Sequence, residues 1–305
     1  MNGHSLAAEL ARSTRSASGA LPVLRHLLAS DGPSLVNEAV VARVRGMLRD
    51  LSQQIYHGAG GAALPGDHAA AAAVDALAES LAGDNALLAH VHILALEGQL
   101  ADRFAQRLSL DPVLSPLLQE LIASDDAVVA DLAMTTLAAQ ARFVQCQRRM
   151  ELPLAELPAD LFRAVLRAGE GLPDPAHAAR LAALVASYDE GATRLALLEQ
   201  LVTAMRRAVV ACLAFDRAGL ALFAQGVAAL AGLPRAQAVL ACHEGQAPRL
   251  ALALRGAELD LARIERQMLL ISAAGPGVRE AAALSPQQAR DQLAASLDRP
   301  PAEHG

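Results

Sequence analysis

Tryptophan and lysine are absent from this 305-residue chain, and aromatic residues make up only 2% of it, five Phe and two Tyr. That shortage argues against a mainly β protein, because aromatic side chains are among those that fit a pleated, half-buried surface best. It also removes the stacking platforms that a single-strand nucleic-acid binder needs. All 26 basic residues are arginines, scattered along the chain and outnumbered by 32 acidic residues, for a net charge of −6. No basic footprint for nucleic acid exists, and none is expected as a partner. Cysteine is scarce: Cys146, Cys212 and Cys242 lie far apart and form no CxxC pair. An odd count of this kind points to a reducing cytoplasm and to small buried apolar side chains.

Long apolar runs are missing too. The N-terminus carries no apolar core of a secretion signal, which agrees with a cytoplasmic location. The longest uncharged stretch, 218–234, is broken by Gln225 and three glycines. A spanning helix wants about 20 strongly apolar residues. The stretch is therefore expected to be a buried core helix and its turn, and no membrane span is expected. No GxSxG, GxxxxGK[ST] or GxGxxG occurs, and the glycines at 58–61 follow a helical pattern and lack a lysine. Nothing positive indicates catalysis, and no cofactor or metal is expected.

What remains is 53% hydrophobic and dominated by Ala and Leu, the best helix formers among apolar residues. Apolar spacing near 3.6 recurs along almost the whole length and predicts an all-α protein. Val40, Val44, Met47, Leu51 and Ile55 form one inward stripe. Leu87, Val91, Leu94, Ala101, Phe104 and Leu108 form another. Asp111-Pro112 reads as a cap followed by proline at a first helical position. Leu198, Leu201, Met205 and Val209 mark a helix with Glu199, Thr203 and Arg206 opposite. Ser285 and Gln288, with Pro286 between them, form a capping box. The expected organisation is a flexible tail over 1–20 and a helical region over 21–150 with a loop at 57–66. Its boundary is the two-proline segment 151–158. A second helical region covers 157–274, and a glycine-rich break, short helix and tail cover 275–305.

The candidates for chemistry are few. His90 and His92 are two apart, so in a helix they point about 200° away from each other and cannot share a metal. Cys242-His243-Glu244 collects reactive types, but adjacent helical side chains diverge by about 100°, and a catalytic cysteine needs its base beside the sulfur. A buried cysteine beside a polar turn is the expectation. His177 sits on a helix face as a phosphoaccepting histidine would, but the small and basic pattern that usually follows is incomplete: Arg180 is present and no Lys-Gly follows. Two arginine doublets, Arg148-Arg149 and Arg206-Arg207, suit carboxylate or phosphate recognition and are the candidate partner surface.

Two segments echo each other: Leu27–Asp31 with Leu35 and Ala39, and 121–125 with Val129 and Ala133. The stretch 115–140 resembles one HEAT repeat, a helical hairpin whose small residues allow close packing, with Ala130 where the usual arginine stands. The segment 220–245, with Phe223 and a Gly-Leu-Pro turn at 232–234, is similar to a bacterial family of HEAT-like domains known as domain of unknown function 2336. Residues 157–169 have the same character, and the likeness extends over 157–260. It implies a helical-repeat fold and no catalytic residue. Stacked helical hairpins, HEAT-like or in an irregular α-solenoid, are thus the expected architecture. The expected function is a non-catalytic interaction, scaffold or regulatory module for another protein, or a homo-oligomer. The competing reading is a helical enzyme or phosphotransfer-like signalling domain with its site in the C-terminal half.

Overall fold

The computed structural model describes residues 6–7, 9–11, 13–14, 38–57, 68–170, 177–271 and 277–297. Among them the chain is all-α, with no strand. The expected helix at 21–30, the loop at 58–61, the cap at Asp67, the opening at 174–175 and the final tail lie outside the described residues, as does the His177 side chain. The helices are α1 (Glu38–His57), α2 (His68–Ala82), α3 (Asn85–Leu108), α4 (Pro116–Ile122), α5 (Ala127–Arg149), α6 (Ala159–Gly169) and α7 (His177–Ser187). They continue as α8 (Arg194–Ala204), α9 (Phe215–Ala231), α10 (Arg235–Ala241), α11 (Ala247–Gly256), α12 (Leu261–Ile271), α13 (Gly277–Ala283) and α14 (Pro286–Leu297). Short 3-10 helices cover Leu154–Glu156, Glu190–Ala192, Arg206–Leu213 and Glu244–Gln246.

The chain divides into two compact units. The first comprises Met1–Ala20, Leu96–Leu137 and Leu198–Gly305, and the second Leu21–Ala95 and Ala138–Leu197. This is not the division expected from the prolines, because 151–158 lies inside the second unit. The reason is visible in its backbone. Leu152 N donates to Asp50 Oδ2 at 2.8 Å, Leu154 N to Gln54 Oε1 at 2.9 Å, and Gln54 Nε2 to the Leu152 carbonyl at 2.9 Å. Side chains of α1 thus satisfy a proline-broken backbone that would otherwise need water. Leu152, Leu154 and Leu157 can then be buried with the α1 stripe. Burial raises the Asp50 carboxyl above its ordinary value, although the Leu152 N–H holds it down.

In the second unit, α1 packs on α2, and both pack on α6. The stripe Val40, Val44, Met47, Leu51 and Ile55 is wholly buried, together with Leu161, Phe162 and Val165 of α6. Phe162 stacks on Tyr188, with ring centroids 4.0 Å apart, and the Tyr188 hydroxyl donates to the Leu157 carbonyl at 2.8 Å. An aromatic pair and one hydrogen bond therefore close the turn that follows α7.

In the first unit, α9 packs against α4, α10, α11, α12 and the 3-10 helix Arg206–Leu213, while α11 packs against α10, α12, α13 and α14. Two helices surrounded on several sides make the stacking irregular. Most of their residues are correspondingly buried. Gly219, at φ 65°, kinks α9 beside Ser115, whose Cβ lies 3.1 Å from where a Cβ on the glycine would sit. Ser115, and not Asp111, caps α4: its Oγ accepts from Leu118 N at 3.3 Å, while Asp111 Oδ1 accepts from Val113 N at 2.7 Å in a bend before the helix. Pro116 takes the first helical position.

Three further differences concern helix ends. α8 stops at Ala204, and Arg206, at φ 52°, opens a 3-10 helix, so Arg206 does not share a helix with Leu198. The expected flexible tail is helical at its described positions 6–7, 9–11 and 13–14, with Leu6, Leu10 and Ser13 buried. The capping box of α14 is formed, Ser285 N donating to Gln288 Oε1 at 2.8 Å and Gln288 N to Ser285 Oγ at 3.2 Å, and Ala289 and Leu293 are buried in the helix packed on α11. By length and composition α5 is long and apolar enough to cross a membrane, and 33% of its apolar window is buried.

Candidate functional site: a cleft in the second unit

A cavity of about 530 Å³ opens in the second unit. Its walls are the C-terminal turns of α5, the crossing segment 151–156, and residues 187–195. Each wall has a local cause. α5 presents Arg142, Cys146 and Arg149 to the cleft, and these share one face because they are spaced by three or four residues. The crossing segment is held against α1 by the Asp50 and Gln54 bonds. The third wall is shaped by Asp189, whose Oδ1 accepts from Gly191 N at 2.9 Å and starts the 3-10 turn.

Arg194 anchors the base of the third wall. It is buried, its guanidinium lies 3.7 Å from the Phe143 ring centroid, and Nη1 donates to Gln140 Oε1 at 2.9 Å. A guanidinium over an aromatic face gains from the ring quadrupole, more so where water is excluded. The Arg194 N–H donates to Glu156 Oε2 at 2.7 Å, and the other Glu156 oxygen lies 3.9 Å from Arg142 Nη2. At the opposite rim, Arg149 Nε stands 2.8 Å from Glu151 Oε2. Leu152, Pro153 and Leu195 supply apolar lining. The cleft lining therefore combines apolar side chains with paired charges of both signs.

Cys146 is half-buried in this lining. Burial raises its thiol above the ordinary value, and a hydrogen bond from Arg149 partly opposes that shift. Among the described residues that line the cleft there is no histidine. Cys212 and Cys242 are buried, and burial pushes both thiols up to about 12. A thiol-specific disulfide reagent added to the native protein at neutral pH is therefore expected to modify Cys146 alone, faster as pH rises, with the other two thiols released only by denaturant. Mass spectrometry of the labelled peptides checks this; early labelling of Cys212 or Cys242 contradicts it.

Of the arginines expected at a partner surface, Arg149 lines the cleft. Arg148 is exposed on the same last turn without lining it. Arg206 and Arg207 are exposed in the first unit, at the start of the 3-10 helix. Cys242, His243 and Glu244 do not converge: the Cys242 thiol donates to the Ala238 carbonyl at 3.3 Å, while His243 Nδ1 accepts from Gly245 N at 3.1 Å and caps the next turn. Burial lowers the His243 pKa, the nearby Glu244 opposing and Arg103 reinforcing that shift. Among the described residues, no three His, Cys, Asp or Glu side chains gather to hold a metal ion.

Sequence reasoning missed Arg142, Arg194, Glu151 and Glu156. For the two glutamates a signal was present: Glu151 opens and Glu156 interrupts an otherwise apolar, two-proline stretch. For Arg194 nothing in the local pattern marks a buried cation. No protein family, curated protein or solved structure matches the chain.

Proposed function

We propose that this chain is a non-catalytic helical-repeat protein of HEAT-like kind, acting in the cytoplasm as an interaction, scaffold or regulatory module for another protein. The cleft of the second unit is its docking site. The observation that supports this most is the lining itself, apolar side chains together with the pairs Arg149–Glu151 and Arg142–Glu156. The arginines of these pairs are exposed and the carboxylates half-buried, and ion pairs so close to solvent hold little energy, on the order of 0–1 kcal/mol. A partner's charges can therefore exchange into them at small cost, while its apolar side chains meet the apolar lining. Such an arrangement gives orientation and partner choice more than raw affinity. The helical-repeat reading rests on the stacked helices and on the resemblance of 115–140 and 157–260 to the HEAT-like family. The net charge of −6 disfavours nucleic acid as the partner.

Affinity purification from the native cell tests the proposal, using the wild-type chain and an Ala155→Trp/Ala192→Trp variant. Both alanines are exposed and line the cleft, so the indoles fill it without touching the core. Proteins retained by the wild type and lost by the variant support the reading, a second copy of this chain counting as such a partner. Recovery of the chain alone with a bound metabolite, or the same proteins with both forms, overturns it.

A further inference from the structure

A second recognition element sits in the first unit, independent of the cleft. Arg249 of α11 has one of the largest fully buried side chains in the molecule. Its hydrogen-bond acceptors are all neutral: Gln246 Oε1 at 3.3 Å, Gln237 Oε1 at 3.0 Å and Thr14 Oγ1 at 3.2 Å. Burial lowers its pKa, and no carboxylate among the described residues acts on it. A buried cation is ordinarily paired, because leaving water costs it several kcal/mol. Elsewhere in the same unit that rule is kept, Arg235 being matched to Glu97 at 2.7 Å. Among the described residues no carboxylate meets the Arg249 guanidinium, and its chemistry is that of an anion receptor.

The segment over that receptor is the N-terminal helix. Leu6, Leu10 and Ser13, at the i, i+4, i+7 spacing of an amphipathic helix laid in a groove, are the buried positions. Leu6 N donates to Glu280 Oε2 at 2.9 Å. At the other end, Ser13 Oγ donates to Gln246 Oε1, and Gln246 Nε2 donates to the Ser13 carbonyl at 2.9 Å. α13 begins with Gly277, where a Cβ would come within 2.9 Å of Leu6 Cδ1, so the groove is cut close to the helix it holds. Glu280 accepts from Leu6 N at one side of the described stretch and Arg249 donates to Thr14 Oγ1 at the other, so these contacts fix the direction in which the segment lies. Groove, direction and side-chain spacing are thus specified, while the side chain offered to Arg249 is only a threonine hydroxyl.

We propose that this groove is a binding site for an amphipathic helix of a partner protein, with the pattern Leu-x-x-x-Leu-x-x-Ser followed by Asp or Glu, and that Leu6, Leu10, Ser13 and Thr14 occupy it in cis as a displaceable mimic. The partner's carboxylate takes the place of the Thr14 hydroxyl and supplies a charge that none of the described residues gives Arg249. A charge-assisted bond is roughly twice as strong as a neutral one, which corresponds to about tenfold in affinity.

The test uses fluorescein-labelled peptides of the sequence 4–16, one native and one carrying Thr14→Glu, titrated by anisotropy into the full-length Leu10→Asp chain, whose own segment is released by the buried charge. The glutamate peptide is expected to bind about tenfold tighter than the native one, and Arg249→Met in the same chain is expected to abolish the difference. Equal affinities, no binding to a Leu10→Asp chain whose circular dichroism is native, or a preference that survives Arg249→Met overturns the proposal. Should either variant chain fail to fold, Thr14→Glu in the otherwise wild-type protein decides. Tryptic cleavage after Arg12 and Arg15 is then expected to slow about tenfold, and an unchanged or faster rate sinks the idea.

Discussion

Replacing Arg235 by methionine is expected to lower the unfolding free energy by about 3–5 kcal/mol, while the double variant Glu97→Leu/Arg235→Met recovers most of that loss. Glu97 is 1% exposed, and both of its oxygens are held by one guanidinium, Arg235 Nη2 at 2.7 Å and Nη1 at 2.9 Å. A bidentate fork of this geometry is the strong form of the interaction. Its net contribution to stability is nonetheless small, because taking both ions from water offsets their attraction. Removing one partner keeps the desolvation of the carboxylate and discards its compensation. Removing both eliminates the problem and leaves apolar surface beside Cys242, whose thiol Glu97 also pushes up. Urea denaturation of the three proteins, compared at constant m, is the measurement. A single variant that loses less than about 1 kcal/mol would show that the carboxylate reaches water or protonates at little cost.

How Glu97 escapes a sequence reading is instructive. The inward stripe of α3 runs through Leu94, Ala101 and Phe104, and position 97 falls on that face, three residues from Leu94 and four from Ala101. A charge in an apolar stripe was therefore legible as an anomaly. Its partner was not, because Arg235 lies on α10, 138 residues away. The same asymmetry recurs throughout. The α1 stripe and the α14 capping box are local patterns, and both appear as read, since periodicity and cap chemistry depend on neighbours within one or two turns. The segment 151–158 looked like a linker because two prolines cannot continue a helix. Only tertiary bonds from Asp50 and Gln54 reveal that it is a buried crossing. The N-terminal segment looked like a tail because its apolar residues are few, yet Leu6, Leu10 and Ser13 fall on one face that α11 and α13 receive. In the cleft, Arg149 was legible from its doublet and its place on the last turn of α5. Arg142 and Arg194 were not, since their role comes from residues in other elements.

Phe215→Ala is expected to cost about 3–5 kcal/mol, and its effect is expected to spread beyond the unit it sits in. In a chain with five phenylalanines, three meet in one place. Phe215 is fully buried between Phe104, 4.7 Å away at 71°, and Phe223, 5.1 Å away at 87°. Both contacts are edge-to-face, the favoured geometry, each worth about 0.5–1.5 kcal/mol beyond burial. Phe215 N also donates to the buried Gln267 Oε1 at 2.9 Å, so the residue fixes the start of α9 by backbone as well as ring. Truncation leaves a cavity that two rings and a kinked helix cannot close, since Gly219 already sets the path of α9. The chain supplies its own reporter for the reach of this damage. Without tryptophan, its intrinsic emission comes from two tyrosines, Tyr56 and Tyr188, both in the second unit, whereas Phe215 belongs to the first. Because α3, which carries Phe104, runs from residues of one unit into residues of the other, loss of the Phe cluster withdraws support from a helix that the second unit also uses. The urea midpoints of Phe215→Ala from circular dichroism and from tyrosine emission are therefore expected to fall together. A tyrosine transition that stays at its wild-type midpoint while the helical signal shifts would show two units that unfold separately.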